Sequence, residues 1–397
     1  MKDHSIDIKS ENYIVRISDN IDDLKFDWDK TSRKSIYFNS AYLVLLEKHG
    51  PIGYSYYYVI VYEGAEAIGV FYFQRKTIDL HKDFRVHTHS KNLFKKFAVF
   101  AQKQLFKLVN HEFLINGNVL LTGEYAYYFV NELSVNKFSM LSNHVYDLVI
   151  NFIHERSGKK IQSILAKDFY VGANFKVSNF QNSEFTEFKV QPDMVLKLNP
   201  EWKNFDDYIN AVKSKYRVKF KKVLSKGKEL DFVSLDLIEL EKEMNAMYDL
   251  YCATSDKASF SLFKLQPDYF LELKKALPEY FHAIGVYLDK RLVAFCTVII
   301  NGKNADGHFL GYDVKLNSQY QIYFNILLKL IEKSILYKVD NLNLSRTALE
   351  IKSSVGAEPH AMNIYLRHNN KLFNKILPAL LDKVVPKVEW IQRVPFK

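Results

Sequence analysis

NLNLSRTALEIKSSVGAEPHAMNIYLRHNN, residues 341–370, is the stretch on which the reading of this chain turns. In NLNLS (341–345), Leu342 and Leu344 alternate with Asn343 and Ser345, the period of a half-buried strand, and AMNIYLRH (361–368) reads as another strand. Between them stand Ser345, Arg346, Thr347, Glu350, Lys352, Ser353 and Ser354. Polar groups this close to a core need partners, and a charge there is costly without a counter-charge or a ligand. Arg346 and Glu350 lie four apart and would pair on a helix. Alternatively, Arg346 or Lys352 would hold a phosphate or carboxylate, the arginine in a bidentate way.

Upstream, ADGHFLGYD (305–313) reads as a strand and Tyr320 to Val339 as a long amphipathic helix. His308 and Tyr312 are four apart in a run of period two, so they are expected on one face, flanked by Asp306 and Asp313. Histidine can serve as a general base and tyrosine as a general acid; an interior pair satisfied by its neighbours fits the same pattern. Asn317 or Ser318 would cap the helix, and Gln321, Asn325 and Lys329 form a polar stripe along it. A helix start just after a strand offers free N–H groups and a positive dipole end to an anion, so a pyrophosphate would fit there. An ordinary capped helix explains the residues as well, because no glycine-rich phosphate loop is present.

Further upstream, VKSKYRVKFKKVLSKGK (212–228) carries eight cationic side chains, with Tyr216, Phe220, Val223 and Leu224 on an apolar face at helical spacing. Such a run is a solvated amphipathic helix, or an anion surface for coenzyme A phosphates, RNA or lipid headgroups. NLFKKFAVFAQKQLFK (92–107) is a weaker case.

The remaining pattern falls into two similar halves. YIVRIS (13–18), YYYVIVYE (56–63), EAIGVFYFQRKTI (66–78) and SILAKDFY (163–170) read as strands, and FLINGNVLLTG (113–123) as strand, turn, strand. Helices are expected within 21–50, at 92–109 and at 145–155. In the second half, VQPDMVLKL (190–198), ELDFVSLD (229–236), YFHAIGVYLD (280–289) and RLVAFCTVII (291–300) read as strands. Helices are expected at 205–212, 213–226 and 237–254, with a closing helix at 371–382 broken at Pro378. The order suggests a duplicated α/β unit with its boundary in the polar stretch Asn179–Gln191, giving domains 1–183 and 184–397.

Composition narrows the class. At 397 residues the chain is long for one domain, and 48% apolar residues suffice for real cores. The net charge of +10 favours anionic partners. Cys252 and Cys296 are the only cysteines, which excludes a disulfide framework and a thiolate zinc site, and Cys296 reads as a core residue. No metal is expected. The N-terminal MKDHSIDIKSENY lacks a signal-like apolar core, and no apolar run reaches the ~18 residues that span a bilayer. The expected location is the cytoplasm, with peripheral contact on the inner face of the membrane as an option.

Several of these motifs together resemble the FemAB-like (BioF2-like) branch of the GNAT acyltransferase superfamily. They are PDMVLKL (192–198), SKYRVKFKK (214–222), FLGYD (309–313) with its helix and, above all, SRTALEIKSSVGAEP (345–359). FQRKTI (73–78) and NGNVLLTG (116–123) look similar in the first half. The resemblance implies an α/β (α+β) chain of tandem GNAT-like domains, each a mixed twisted sheet flanked by helices. It implies an N-acyltransferase, in which an amine attacks an activated acyl carbonyl directly. The acceptor would be a small-molecule or lipid amine, with a cell-envelope precursor as one option. The co-substrate would be acyl-coenzyme A or an acyl carrier protein thioester, with no permanently bound cofactor. His308 or Glu350 would be the base and Tyr312 the proton donor, while Arg346, Lys352 and Ser345 would bind substrate. The helix start at Ser318 and Gln319 would face the donor phosphates. The chain departs from the wider GNAT pattern at LNSQYQ (316–321), which stands where the coenzyme A loop is expected. Two other readings therefore remain: an aminoacyl-tRNA-dependent FemAB-type transferase, and a non-catalytic module that binds lipid or RNA.

Overall fold

The computed structural model describes residues 5–8, 13–32, 35–79, 110–171, 184–256, 263–375 and 389–396. The helix expected at 92–109 and the Pro378 break lie outside them. The chain forms two compact units. One comprises Met1–Val190, Ser259–Leu265 and Met362–Pro386, and the other Gln191–Ala258, Gln266–Ala361 and Lys387–Lys397.

In the first unit, β1 (Ser5–Ile8), β2 (Tyr13–Ser18), β3 (Tyr54–Glu63), β4 (Glu66–Asp79) and β5 (Asn110–Asn116) are successive antiparallel neighbours. A short β6 (Tyr127–Phe129) also pairs with β4. β5 then runs parallel to β7 (Ser163–Tyr170), and β7 is antiparallel to residues 362–368 of the chain's last strand, β14 (Glu358–His368). Between β2 and β3 lie α1 (Lys25–Thr31) and α2 (Ser40–His49), and between β6 and β7 lies α3 (Val135–Ser157). α3 buries Phe138, Leu141, Val145, Val149 and Phe152 at spacings of three and four, against Val15, Val59, Phe71, Phe73 and Leu114 of the sheet. Its Ser134 cap accepts the Lys137 N–H, and Gly158 ends it in the left-handed region at φ 66°. The helix therefore starts ten residues before the expected Val145.

The second strand expected in 113–123 does not form. Residues 117–121 are a buried loop: the Gly117 N–H donates to Tyr72 O of β4, and side chains satisfy backbone groups beyond it. Lys167 Nζ donates to the carbonyls of Asn118 and Leu121 at 3.0 and 2.7 Å, and the Gln74 side chain accepts the Val119 N–H at 2.8 Å.

In the second unit, β9 (Asp231–Leu235), β10 (Phe281–Leu288), β11 (Arg291–Asn301) and β12 (Asn304–Tyr312) are antiparallel neighbours. β12 is parallel to β13 (Asn341–Asn343), which is antiparallel to β8 (Thr186–Lys197). α4 (Phe205–Ala211) and α5 (Ser214–Lys226) precede β9, and α6 (Leu237–Ser255) and α7 (Tyr269–Ala276) separate β9 from β10. α8 (Asn317–Tyr320) and α9 (Ile322–Leu336) separate β12 from β13, and α10 (Leu349–Ser354) follows β13. Each unit thus repeats one plan: antiparallel strands, a long helix, a parallel neighbour and an antiparallel closing strand. β14, late in the chain, closes the first unit, and β8, from the middle of the chain, closes the second. α6 is started by a capping box between Asp236 and Glu239, while α7 has no counterpart among the expected elements. Cys296 is buried in the core of this unit, and burial pushes its thiol up to about 12.

The helix expected at 320–339 forms over 322–336, and a break at its start separates it from α8. Gln321 adopts a left-handed φ of 51°, and α9 starts after it. Asn317 Oδ1 accepts the Tyr323 N–H at 2.9 Å, so the expected cap acts across the break. The polar stripe is not a solvated face. Asn325 is buried and donates to the carbonyls of Val223, Tyr320 and Gln321, tying α5 to the break, and Lys329 lies over the Phe232 ring. Asn317→Ala is expected to lower stability by about 1 kcal/mol, read as a shift in the urea midpoint at unchanged m-value.

Among the described residues, no helix is long and apolar enough to cross a membrane. None of their His, Cys, Asp and Glu side chains converge as a three-ligand metal group.

Candidate functional site

β12 and β13 pair over only three registers, 304 with 341 through 306 with 343. β12 then continues beside β11 to Tyr312, whereas the chain after β13 stays with β8: Leu344 N–H donates to Met194 O at 2.8 Å and Met194 N–H to Ser345 O at 3.2 Å. The parallel pair parts at this point, and the polar segment singled out in the sequence starts there. Three of its non-glycine residues are left-handed: Ser345 (φ 58°), Thr347 (φ 68°) and Ala348 (φ 48°). Strain of this kind costs about 1–3 kcal/mol per residue and concentrates at functional sites.

What holds the turn is visible in its partners. Asn343 Oδ1 accepts the Ser345 N–H at 2.7 Å, and Asn343 Nδ2 donates to the fully buried Asp193 at 2.9 Å. Lys352, 4% exposed on α10, donates to the carbonyls of Ser345 and Arg346 at 3.2 and 2.5 Å. Burial pushes its amine down to about 7, and the Asp193 charge pulls partly the other way. In the first unit, the matching place after β5 is filled by the buried 117–121 loop strapped by Lys167.

The structure brings Ser345, Arg346 and Lys352 together through this loop, with Glu350 exposed on the same helix as Lys352, and leaves His308, Tyr312, Ser318 and Gln319 elsewhere. His308 and Tyr312 do not share a face. The β11–β12 register shifts between Cys296 and Val298, which stand opposite Leu310 and Gly307. Thr297 Oγ1 donates to Phe309 O and accepts the Phe309 N–H. This bulge puts His308 and Phe309 on the same side, against α6 and α7, because an extra residue breaks the alternation. His308 Nε2 lies 2.8 Å from Tyr269 Oη, and Phe309 meets the rings of Tyr251 and Phe270. Tyr312 packs on the other side, against Tyr323 of α9. Burial drives the His308 imidazole down to about 3, so it is neutral and a weak base, and burial also raises the Tyr312 phenol.

Arg346 and Glu350 do not form the expected helical pair, because α10 begins only at Leu349. Glu350 instead accepts from Arg393 Nε at 3.0 Å and from Arg393 Nη2. Ser318 and Gln319 are exposed on the four-residue α8.

A cleft of about 390 Å³ lies beside the loop's helix, lined by Lys215, Tyr216, Lys219, Glu350, Ile351, Ser354 and Arg393. Sequence reasoning missed Arg393. Its basic tail, VVPKVEWIQRVPFK, was visible, but nothing in it showed that Phe396 would bridge to Val212 and bring the arginine to α10.

No family model matches the sequence, and no curated protein sequence matches it. Solved structures do. FemX superposes with a TM-score of 0.51 at 11% identity, over 84% of this chain and 96% of FemX. A tandem GNAT protein from the clavulanic acid biosynthesis pathway gives 0.48 at 10% identity, over 89% of this chain and 98% of its own. L-PGS from Bacillus licheniformis gives 0.45 at 9% identity, over 86% and 95%. At 11% identity the likeness to FemX speaks for the fold alone: this chain has the fold of FemX, in line with the FemAB-like resemblance of its motifs.

Proposed function

We propose that the chain is a transferase that moves an acyl or aminoacyl group from an activated donor to an amine, with the second unit as its catalytic half. The observation that carries this is the strained 345–348 loop at the parting of β12 and β13, fixed from below by buried Lys352. A fold shared with FemX supports it. The acceptor nitrogen would attack the acyl carbonyl, the C–S or C–O bond to the donor would break, and the amine proton would leave for the departing group. The work of such a site is orientation, proton removal and oxyanion stabilisation.

In this reading Arg346 touches an anionic part of a substrate. Lys352 positions the loop, because its Nζ is already committed to two backbone carbonyls. Proton removal falls to Glu350 in preference to His308, whose ring is engaged by Tyr269 and driven to about 3. Tyr312, on the α9 side of β12 against Tyr323, is a packing phenol.

A donor other than acyl-coenzyme A is the second reading. LNSQYQ (316–321) forms α8 and a left-handed break, and Asn317 already takes the Tyr323 N–H at the start of α9. This favours an aminoacyl-tRNA donor, whose turnover would be ribonuclease-sensitive.

Thermal shift and native mass spectrometry against acetyl-coenzyme A, a long-chain acyl-coenzyme A, acyl carrier protein and charged tRNA test both readings. One donor is expected to stabilise the chain, by about 2.7 kcal/mol at a hundred times its dissociation constant. Arg346→Ala is expected to cut turnover with that donor by about 10- to 100-fold. No stabilisation by any donor, with binding only to polyanions and steeply weakened by salt, would replace the transferase by a binding module.

A further inference from the structure

We propose that the cleft between α5, α10 and the C-terminal segment 389–396 is a binding site for a phosphoryl-bearing ligand, held by Lys215, Lys219 and Arg393. Three cations there face one carboxylate, Glu350, and that carboxylate is half-exposed on the rim. A volume of about 390 Å³ falls within the range of small-molecule sites.

The cations are placed by independent parts of the fold. Lys215 and Lys219 are one helical turn apart on α5 and share a face. Lys219 Nζ lies 4.8 Å from the centre of the Phe324 ring and donates to Ser354 Oγ at 3.4 Å. Arg393 arrives from the end of the sequence on a clasped segment. Its N–H donates to Ser353 Oγ at 3.0 Å, and Lys213 bonds the carbonyls of Val394 and Pro395. Phe396 locks the end against Trp202 and Tyr208. A cation fixed this firmly loses little freedom when it meets an anion.

Lys219 is already partly stripped of water, and the Arg393 charge adds to the pressure, so its amine sits below the usual lysine range. A bound dianion would offset the Arg393 charge, as the Glu350 carboxylate already does in part. Glu350 is then the internal counter-ion that the ligand displaces from Arg393. The binding requires no turnover, so it stands or falls apart from the transferase reading; within that reading the ligand is the phosphoryl part of donor or acceptor.

The test is calorimetric titration of the full chain with inorganic pyrophosphate. Saturable binding that weakens with salt is expected. Lys219→Met and Arg393→Met are expected to weaken it about tenfold or more, because each removes one charge-assisted contact. Glu350→Gln is expected to tighten it several-fold by removing the competing carboxylate, an effect that a merely structural ion pair would not produce. Arg393 belongs to the clasped segment, so Lys215→Met, at an exposed position, serves as the second variant. Sedimentation with phosphatidylcholine vesicles, with and without phosphatidylglycerol, separates the sources. Vesicle binding lost in the same variants assigns a lipid headgroup, and pyrophosphate binding alone assigns a soluble ligand. Absence of saturable binding in both the wild type and Glu350→Gln, or affinity unchanged by Lys215→Met and Lys219→Met, overturns the site.

Discussion

The Lys352→Met variant is expected to lose most of the rise in unfolding free energy that the wild-type chain gains between about pH 7 and pH 10. Lys352 is 4% exposed, and its folded pKa is pushed down to about 7 from an ordinary 10.5. In that window the unfolded chain binds more protons at this site than the folded chain does, so stability rises with pH. The stabilisation is complete above the unfolded value and is lost as pH falls towards 7. A single fully shifted group contributes a slope of about 1.4 kcal/mol per pH unit. Methionine has no proton to release, so the slope disappears, and the other lysines cancel because both proteins share them.

The two proteins should therefore change rank with pH. Above pH 9 the variant removes the Lys352 donor from both carbonyls; Ser345 O keeps the Met194 N–H, so the loss of about 1–3 kcal/mol falls mainly on Arg346 O. Near pH 6 the wild type must bury an ammonium, and the deficit of the variant shrinks or reverses. Asp193→Asn gives a further arm. Asp193 is the charge that raises the Lys352 pKa, so without it the rise should begin at lower pH. Urea unfolding at half-unit pH steps reads all three curves. A variant slope equal to that of the wild type would mean that Lys352 remains charged in the folded chain, and the strap would then be an ordinary buried ion pair. Turnover should fall in Lys352→Met and stay low in Lys352→Arg, whose planar fork cannot reproduce the ammonium's reach to both carbonyls.

Much of this arrangement was legible from the residues. Apolar, β-branched and aromatic runs gave β2 and β7 to the residue and β10, β11 and β12 within one position at each end. The polar density of 345–354 pointed to the loop, because a charge such as Lys352 survives near a core only with partners. Three features escaped for physical reasons. Period two cannot register a bulge, so His308 and Tyr312 were placed on one face although Thr297 pins an extra residue between them. GNVLLTG has strand-like apolar content, but its backbone is satisfied by Gln74 and Lys167, contacts 45 or more residues away in the chain. Arg393 pairs with Glu350 across 43 residues, and no local rule links a basic tail to a helix that distant in sequence.

Gly311→Val is expected to lower the stability of the second unit by about 3 kcal/mol or more, the upper end for an overpacked position. A Cβ at residue 311 would stand 2.6 Å from Leu250 C, from Tyr251 N and from a ring carbon of Phe295. Two of these atoms are backbone in α6, which cannot rotate away as a side-chain tip can. Either β12 must leave α6 or the helix must retreat from the strand. Gly302→Ala separates this steric effect from backbone conformation. Gly302 is left-handed at φ 61° with nothing within 4 Å of an added Cβ, so it should cost only about 1 kcal/mol. Gly311 also lies five residues beyond Asp306, the last residue of β12 that pairs with β13. A strand pushed outward here would shift that opening, so donor stabilisation should disappear in Gly311→Val even at temperatures where it remains folded. If thermal shift shows the donor still bound with wild-type affinity by the folded variant, the edge of β12 is not part of the donor site, and the transferase reading must rest on the 345–354 loop alone.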